Sequence, residues 1–127
     1  MYDASKRNAK PAALFTAAAA PMAKFDTRAA AGGALENTAL RLLHSSDPKA
    51  ALFPAAKAVE MAPSSARAHY YHCVALAFSG YPQQEIPECE TAIKLAERDP
   101  LHRSDLLIQD AGEIIRNVRT ANNMPNP

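Results

Sequence analysis

The feature that most constrains this chain is an apolar phrase that occurs twice, 34 residues apart. The first copy, KAVEMAP, begins at Lys57, and the second lies within ETAIKLAER, which begins at Glu90. Their apolar residues correspond one to one, as the pairs Ala58 and Ala92, Val59 and Ile93, and Met61 and Leu95. Recurrence at a fixed interval is the sequence signature of a repeated supersecondary unit. We therefore expect one helical unit to be built twice.

Apolar residues recur at helical spacing from Leu35 onward and predict five helices. Their expected ranges are residues 35–43, 49–62, 66–78, 83–97 and 105–119. Pro54 predicts a kink or a late start in the second helix, because its ring clashes with the preceding turn. Gly80 is the natural left-handed residue after the third helix, and Ser104 with Asp105 is expected to cap the fifth. Turns of three to seven residues favour antiparallel hairpins, so the predicted fold class is all-α.

Composition divides the chain into three parts. The sequence is 48% hydrophobic, but 28 residues are alanine, which favours helix and buries little surface. Residues 1–34 are alanine-rich and basic, and we predict a disordered extension there. Residues 35–119 form the predicted helical domain, and residues 120–127 a flexible tail. The alternative for the N-terminal part is an organelle transit peptide, removed near residue 30.

Charge and cysteine usage narrow the class of partner and compartment. A formal net charge of +1 gives no reason to expect nucleic acid or an anionic membrane as a partner. No stretch approaches the roughly 18 apolar residues that cross a bilayer. Cys73 and Cys89 lie within helical patterns, and we predict buried, reduced thiols in a reducing compartment. The predicted location is cytoplasmic, with nucleus or organelle as alternatives if residues 1–30 are a transit peptide.

Small and large residues alternate at fixed places in both units. In the first unit Leu35, Ala39 and Leu42 give large, small and large positions, and its second helix carries small residues and a closing proline at Ala51, Ala58 and Pro63. The second unit places Cys73, Leu76, Gly80 and Ala92 in the same template. This pattern resembles the tetratricopeptide repeat. The resemblance implies a short solenoid of two stacked helical hairpins with a C-terminal capping helix.

The second unit departs from that template in three places. Glu85 stands where a small residue belongs, His69 where tryptophan is common, and the closing proline is displaced to Pro100.

Three phrases are also similar to the N-terminal repeat region of plant proteins related to ubiquitin carboxyl-terminal hydrolases. These are residues 59–63, residues 65–71, and residues 88–92 followed by Asp99 and Pro100. The resemblance implies a repeat module without the peptidase, either accessory or truncated.

Two kinds of chemical site were weighed at the cysteines. A cysteine nucleophile would need an activating histidine, but Cys73 and Cys89 fall at packing positions of the repeat, so catalysis is not expected. A zinc site is the alternative, because His69 and Cys73 lie one helical turn apart, with His72 beside them and Cys89 on the facing helix. We favour a packed cysteine with histidines on the solvent side. No metal or other cofactor is predicted.

The acidic run Glu85, Glu88 and Glu90 is interpreted as a solvated helix face rather than as paired catalytic carboxylates.

The remaining functional prediction is binding. In a stacked helical array the first helices of the hairpins line a concave face that holds a peptide. By analogy that face carries Glu36, Leu40, Leu43, Arg67, Tyr70, Val74 and Phe78. The alternative is that Tyr70, Val74 and Phe78 only pack against a neighbouring helix. The lysine and asparagine clamp for a chaperone C-terminus is not recognisable, since Glu36 and Leu40 occupy the matching groove.

We therefore predict a non-enzymatic module whose partner is a protein or a peptide, with a homo-oligomer left open.

Overall fold

The structure is a computed structural model, and it describes residues 27–125. Across this span the regular secondary structure is helical, which confirms the all-α class. The α-helices are α1 (Thr27–Leu43), α2 (Leu52–Met61), α3 (Ala66–Ser79), α4 (Pro82–Glu97) and α5 (Asp105–Ala121), and a 3-10 turn (Pro48–Ala51) precedes α2.

Helix α1 begins at Thr27, so the predicted start at Leu35 is eight residues too late. Residues 27–34, assigned to a disordered extension, are helical, because the first part of α1 packs on the end of α2. A methyl group built on Gly32 would come within 2.9 Å of the Ala62 Cβ, which shows how closely the two helices approach. Arg28 Nη2 also donates a hydrogen bond to the Glu60 carbonyl at 3.3 Å. Residues 1–26, which hold most of the predicted extension and of the alternative transit peptide, lie outside the described residues.

Local signals set the other helix ends. The Ser65 hydroxyl accepts a hydrogen bond from the Ala68 amide at the start of α3, as an N-cap does. Gly80 ends α3 with φ of 77°, a backbone conformation that side chains disfavour, as predicted. The regular part of α2 starts late, at Leu52, with Pro54 in its first turn. Ser104 makes no side-chain cap, so that prediction is wrong.

Small buried residues let the helices approach closely. Ala39, Ala58, Cys73 and Ala92 are fully buried, as the template requires. The core has two clusters, one of Ala39, Ala51, Ala55, Tyr71 and Ala75, the other of Cys73, Ile86, Cys89, Ala111 and Ile115. Tyr70 packs against both clusters and so connects them.

Each helix packs against the next one along the chain, and α3 also contacts α1 and α5. Helix α3 is therefore the element that touches all the others, and it carries most of the residues considered below.

The end of the chain is more ordered than predicted. Thr120 and Ala121 belong to α5, and Met124 packs against the second cluster. Arg119 Nη1 donates a hydrogen bond to the Pro125 carbonyl at 3.0 Å, which fixes the turn after the helix. Residues 126–127 of the predicted tail lie outside the described part. None of the helices described is both long enough and apolar enough to cross a membrane.

Candidate binding groove and the buried polar groups around it

A groove of about 350 Å³ lies between the C-terminal half of α1 and helix α3. It is lined by Leu40, Leu43, His44, Tyr70, Tyr71, Val74 and Phe78. Four of the six predicted binding residues are thus brought together: Leu40, Tyr70, Val74 and Phe78. Phe78 is 47% exposed, so it offers apolar surface that the described helices leave uncovered.

Glu36 and Arg67, the other two predicted residues, do not line the groove. Glu36 is buried and accepts a hydrogen bond from the Ser65 hydroxyl, so it supports the start of α3. Arg67 Nη2 donates to the Tyr71 hydroxyl at 3.2 Å, and its guanidinium lies 5.7 Å from the centre of the Tyr71 ring. Arg67 thereby holds a lining side chain in place without itself facing the groove.

His69 is buried rather than on the solvent side, which corrects the prediction. Its Nδ1 lies 2.7 Å from Glu88 Oε2 and its Nε2 lies 2.8 Å from the Pro63 carbonyl oxygen. A carboxylate and a carbonyl only accept, so both ring nitrogens donate and His69 is an imidazolium. The hydrogen bond to Glu88 accordingly raises the pKa of His69. With both nitrogens engaged, His69 has no free position to act as a general base.

Glu88 is the anionic centre of this network. His72 Nδ1 lies 3.3 Å from its second oxygen, Oε1. Burial by itself would raise the pKa of Glu88, but the hydrogen bond with His69 and the approach of His72 outweigh it and lower that pKa to about 2. The network joins α3 to α4, and we assign it a structural role.

Cys73 and Cys89 form a disulfide bond between α3 and α4, so the prediction of reduced thiols is wrong. Both residues are fully buried, and their Cα atoms lie 5.3 Å apart. The close approach that the small positions predict is the reason, since it brings the two sulfurs together. A bonded sulfur neither attacks a substrate nor binds zinc as a thiolate, which removes the nucleophile and the zinc alternative. In residues 27–125 no group of three or more His, Cys, Asp or Glu side chains is arranged to hold a metal ion.

The disulfide also removes the basis for inferring a reducing compartment. The cytoplasmic location stays a prediction.

Glu85 is the residue that sequence reasoning misjudged most. It was assigned to a solvated acidic face, yet it is only 3% exposed, because the C-terminal turns of α3 and α5 cover the start of α4. Burial raises the pKa of its carboxyl to about 7. Its Oε2 is buried without a hydrogen-bond partner. The available signal was its register: 34 residues earlier the template holds Ala51, which is fully buried.

The chain matches no protein-family model, and comparisons with curated proteins and with solved structures found no similar protein, so the fold and the site rest on the geometry above.

Proposed function

We propose that the protein is a non-catalytic interaction module that binds a peptide or an exposed segment of a partner protein in the groove between α1 and α3. The observation that carries this proposal is the groove itself, with its lining of mainly apolar and aromatic side chains and its half-exposed Phe78. Aromatic side chains in a concave apolar site are the usual anchors of peptide binding. The ligand we expect is a short segment with one or two large apolar side chains.

The placement of the groove supports a tetratricopeptide-like array as its framework. Its walls come from α1 and α3, the first helices of the two proposed hairpins, and in such arrays these helices form the concave face. The fully buried small residues at equivalent positions, Ala58 and Ala92, are those that the repeat needs for close helix packing. The relation to the plant ubiquitin hydrolase-related proteins stays a prediction.

The polar groups that might have supplied chemistry support a binding role instead. Cys73 and Cys89 are bonded to each other, and both nitrogens of His69 are occupied by structural hydrogen bonds.

A peptide selection tests the proposal directly. The oxidised full chain is immobilised and a displayed library of random peptides is selected against it, and each selected peptide is measured by isothermal titration. We expect peptides with a shared pair of apolar residues, and we expect Phe78→Ser to weaken their binding about tenfold or more, because an anchor contact is lost.

Phe53→Ser is the matched control. Phe53 is 71% exposed and lies on α2 outside the groove, so its replacement removes a comparable surface phenyl group. Binding should survive that change. Selected peptides that bind wild type and Phe78→Ser equally, or a selection without a shared motif, would reject the groove as the binding site.

A further inference from the structure

A second depression, of about 340 Å³, lies at the opposite end of α3 from the network of His69. The last turn of α3 contributes Ala77, the first turns of α4 contribute Glu85, and the end of α5 contributes Val118, Ala121 and Asn122. The walls are therefore mainly short apolar side chains, with one carboxylate and an amide among them. None of these residues lines the groove proposed above, so the two sites are separate.

Glu85 is the feature that asks for a ligand here. Its side chain lines the depression while the residue is only 3% exposed, and its Oε2 is buried with no hydrogen-bond donor. An unpaired buried carboxylate is costly, and a cation or a strong donor relieves that cost. Burial accounts for the rise in the pKa of Glu85, and no neighbouring cation offsets it.

The surrounding backbone also favours positive charge. Residues from the C-terminal turns of both α3 and α5 line the depression, and helix C-termini carry a partial negative charge of about one half. The first turn of α4 carries the opposite partial charge, but it is a single helix end, and the full charge of an ionised Glu85 exceeds it.

We propose that this depression binds a primary ammonium group on a short alkyl stem, with the Glu85 carboxylate as its counter-ion. An ammonium group has three N–H donors, enough for the unpartnered Glu85 oxygen and for amide or backbone carbonyl oxygens at the rim. The stem lies against Ala77, Val118 and Ala121, which offer apolar surface and no competing charge. A lysine side chain and a free alkylamine share this chemistry.

The site is tested with n-butylammonium chloride, titrated into the oxidised full chain at pH 8 and followed by two-dimensional amide NMR. We expect saturable shifts of the Ala77, Gly80 and Val118 amides, and none with n-butanol, which has a similar stem and no charge. Glu85→Gln should weaken binding about tenfold or more, because the charge-assisted contact is lost. Glu97→Gln, on the exposed end of the same helix, should bind as wild type does.

Two further arms separate the sources and the two sites. Tighter binding of Nα-acetyl-lysine methylamide than of n-butylammonium would assign the site to a partner's lysine, and weaker binding would assign it to a small amine. Phe78→Ser should leave ammonium binding unchanged, so failure of the groove proposal does not affect this one. The proposal is overturned if the amine causes no saturable shifts, or if folded Glu85→Gln binds it as tightly as wild type.

Discussion

At the scale of single residues, Glu85 and Ala51 show how one register can hold opposite chemistry. The two residues lie 34 positions apart, and both are buried where the first turns of a hairpin's second helix meet neighbouring helices. Ala51 fits there without cost. Glu85 fits as a neutral acid, since burial raises its pKa from 4.5 to about 7, and its ionisation at higher pH costs about 3 kcal/mol.

That shift makes stability depend on pH in a definite direction. Between pH 4.5 and 7 the folded chain holds a proton on Glu85 that the unfolded chain has released, so stability falls as pH rises through this window. We predict that Glu85→Gln matches wild type near pH 4.5 and is more stable by about 2–3 kcal/mol at pH 8. Urea unfolding at both pH values measures the difference.

Glu97→Gln serves as the control and should follow the wild-type pH dependence. The raised pKa of His69 also lowers stability with rising pH, but it acts equally in all three proteins and cancels in the comparison. A constant gap between Glu85→Gln and wild type at the two pH values would mean that the Glu85 carboxyl titrates normally.

At the scale of elements, the contact between α1 and α2 depends on a residue without a side chain. Gly32 faces Ala62, whereas the next residue, Gly33, has no atom within 4 Å of the position where a methyl group would stand. Both glycines lie inside α1, where alanine is intrinsically the better helix former. Their different surroundings therefore isolate packing from helix propensity.

We predict opposite effects for the two alanine substitutions. Gly33→Ala should stabilise the protein by about 0.5–1 kcal/mol, through helix propensity. Gly32→Ala should destabilise it by about 1 kcal/mol, because overpacking against the Ala62 Cβ exceeds the propensity gain. Urea unfolding of each variant at one pH decides the matter, and equal stabilisation by both would show that the start of α1 does not dock on α2.

At the scale of the whole molecule, stability should concentrate around α3. This helix contacts every other described helix, and the Cys73–Cys89 bond closes a segment of 16 residues between it and α4. Cross-linking a loop of that length restricts the unfolded chain by about 3 kcal/mol. The N-terminal cluster, four of whose five residues are alanine, has much less apolar surface to bury.

Hydrogen exchange read by mass spectrometry measures this distribution. In the oxidised protein we predict the slowest amide exchange in α3 and α4 and faster exchange in α1. Reduction after brief unfolding should accelerate exchange in α3 and α4 about a hundredfold, which is the rate equivalent of the loop constraint.

Cys73→Ala with Cys89→Ala is the matched control, and its exchange should not respond to reductant. Two free thiols in the unfolded but unreduced wild type would show that the bond is absent.

The part of this architecture that could be predicted is the part encoded locally. Gly80, the Ser65 cap and the fully buried Ala58 and Ala92 follow from turn chemistry and spacing, and the structure confirms them. The start of α1 escaped prediction because a run of alanine and glycine has no apolar stripe; there the contact of Gly32 with α2 decides.

The misjudged polar groups depend on which faces the helices turn toward one another. His69, Glu85 and Glu88 look solvent-exposed on an isolated helix, and only packing of α3, α4 and α5 buries them. The groove was predicted in part, since Tyr70 and Phe78 share a helix, while Glu36 turns the other way to meet Ser65.

The disulfide gives the molecule an uneven response to mechanical tension. Pulled from its two ends, the chain lengthens as its helices unravel, but the residues between Cys73 and Cys89 add nothing, because the bond carries the load across 5.3 Å between their Cα atoms. Fully extended, those residues would span about 50 Å, so the intact bond keeps that much length in reserve. A partner held between α1 and α3 would feel the strain first on its α1 side.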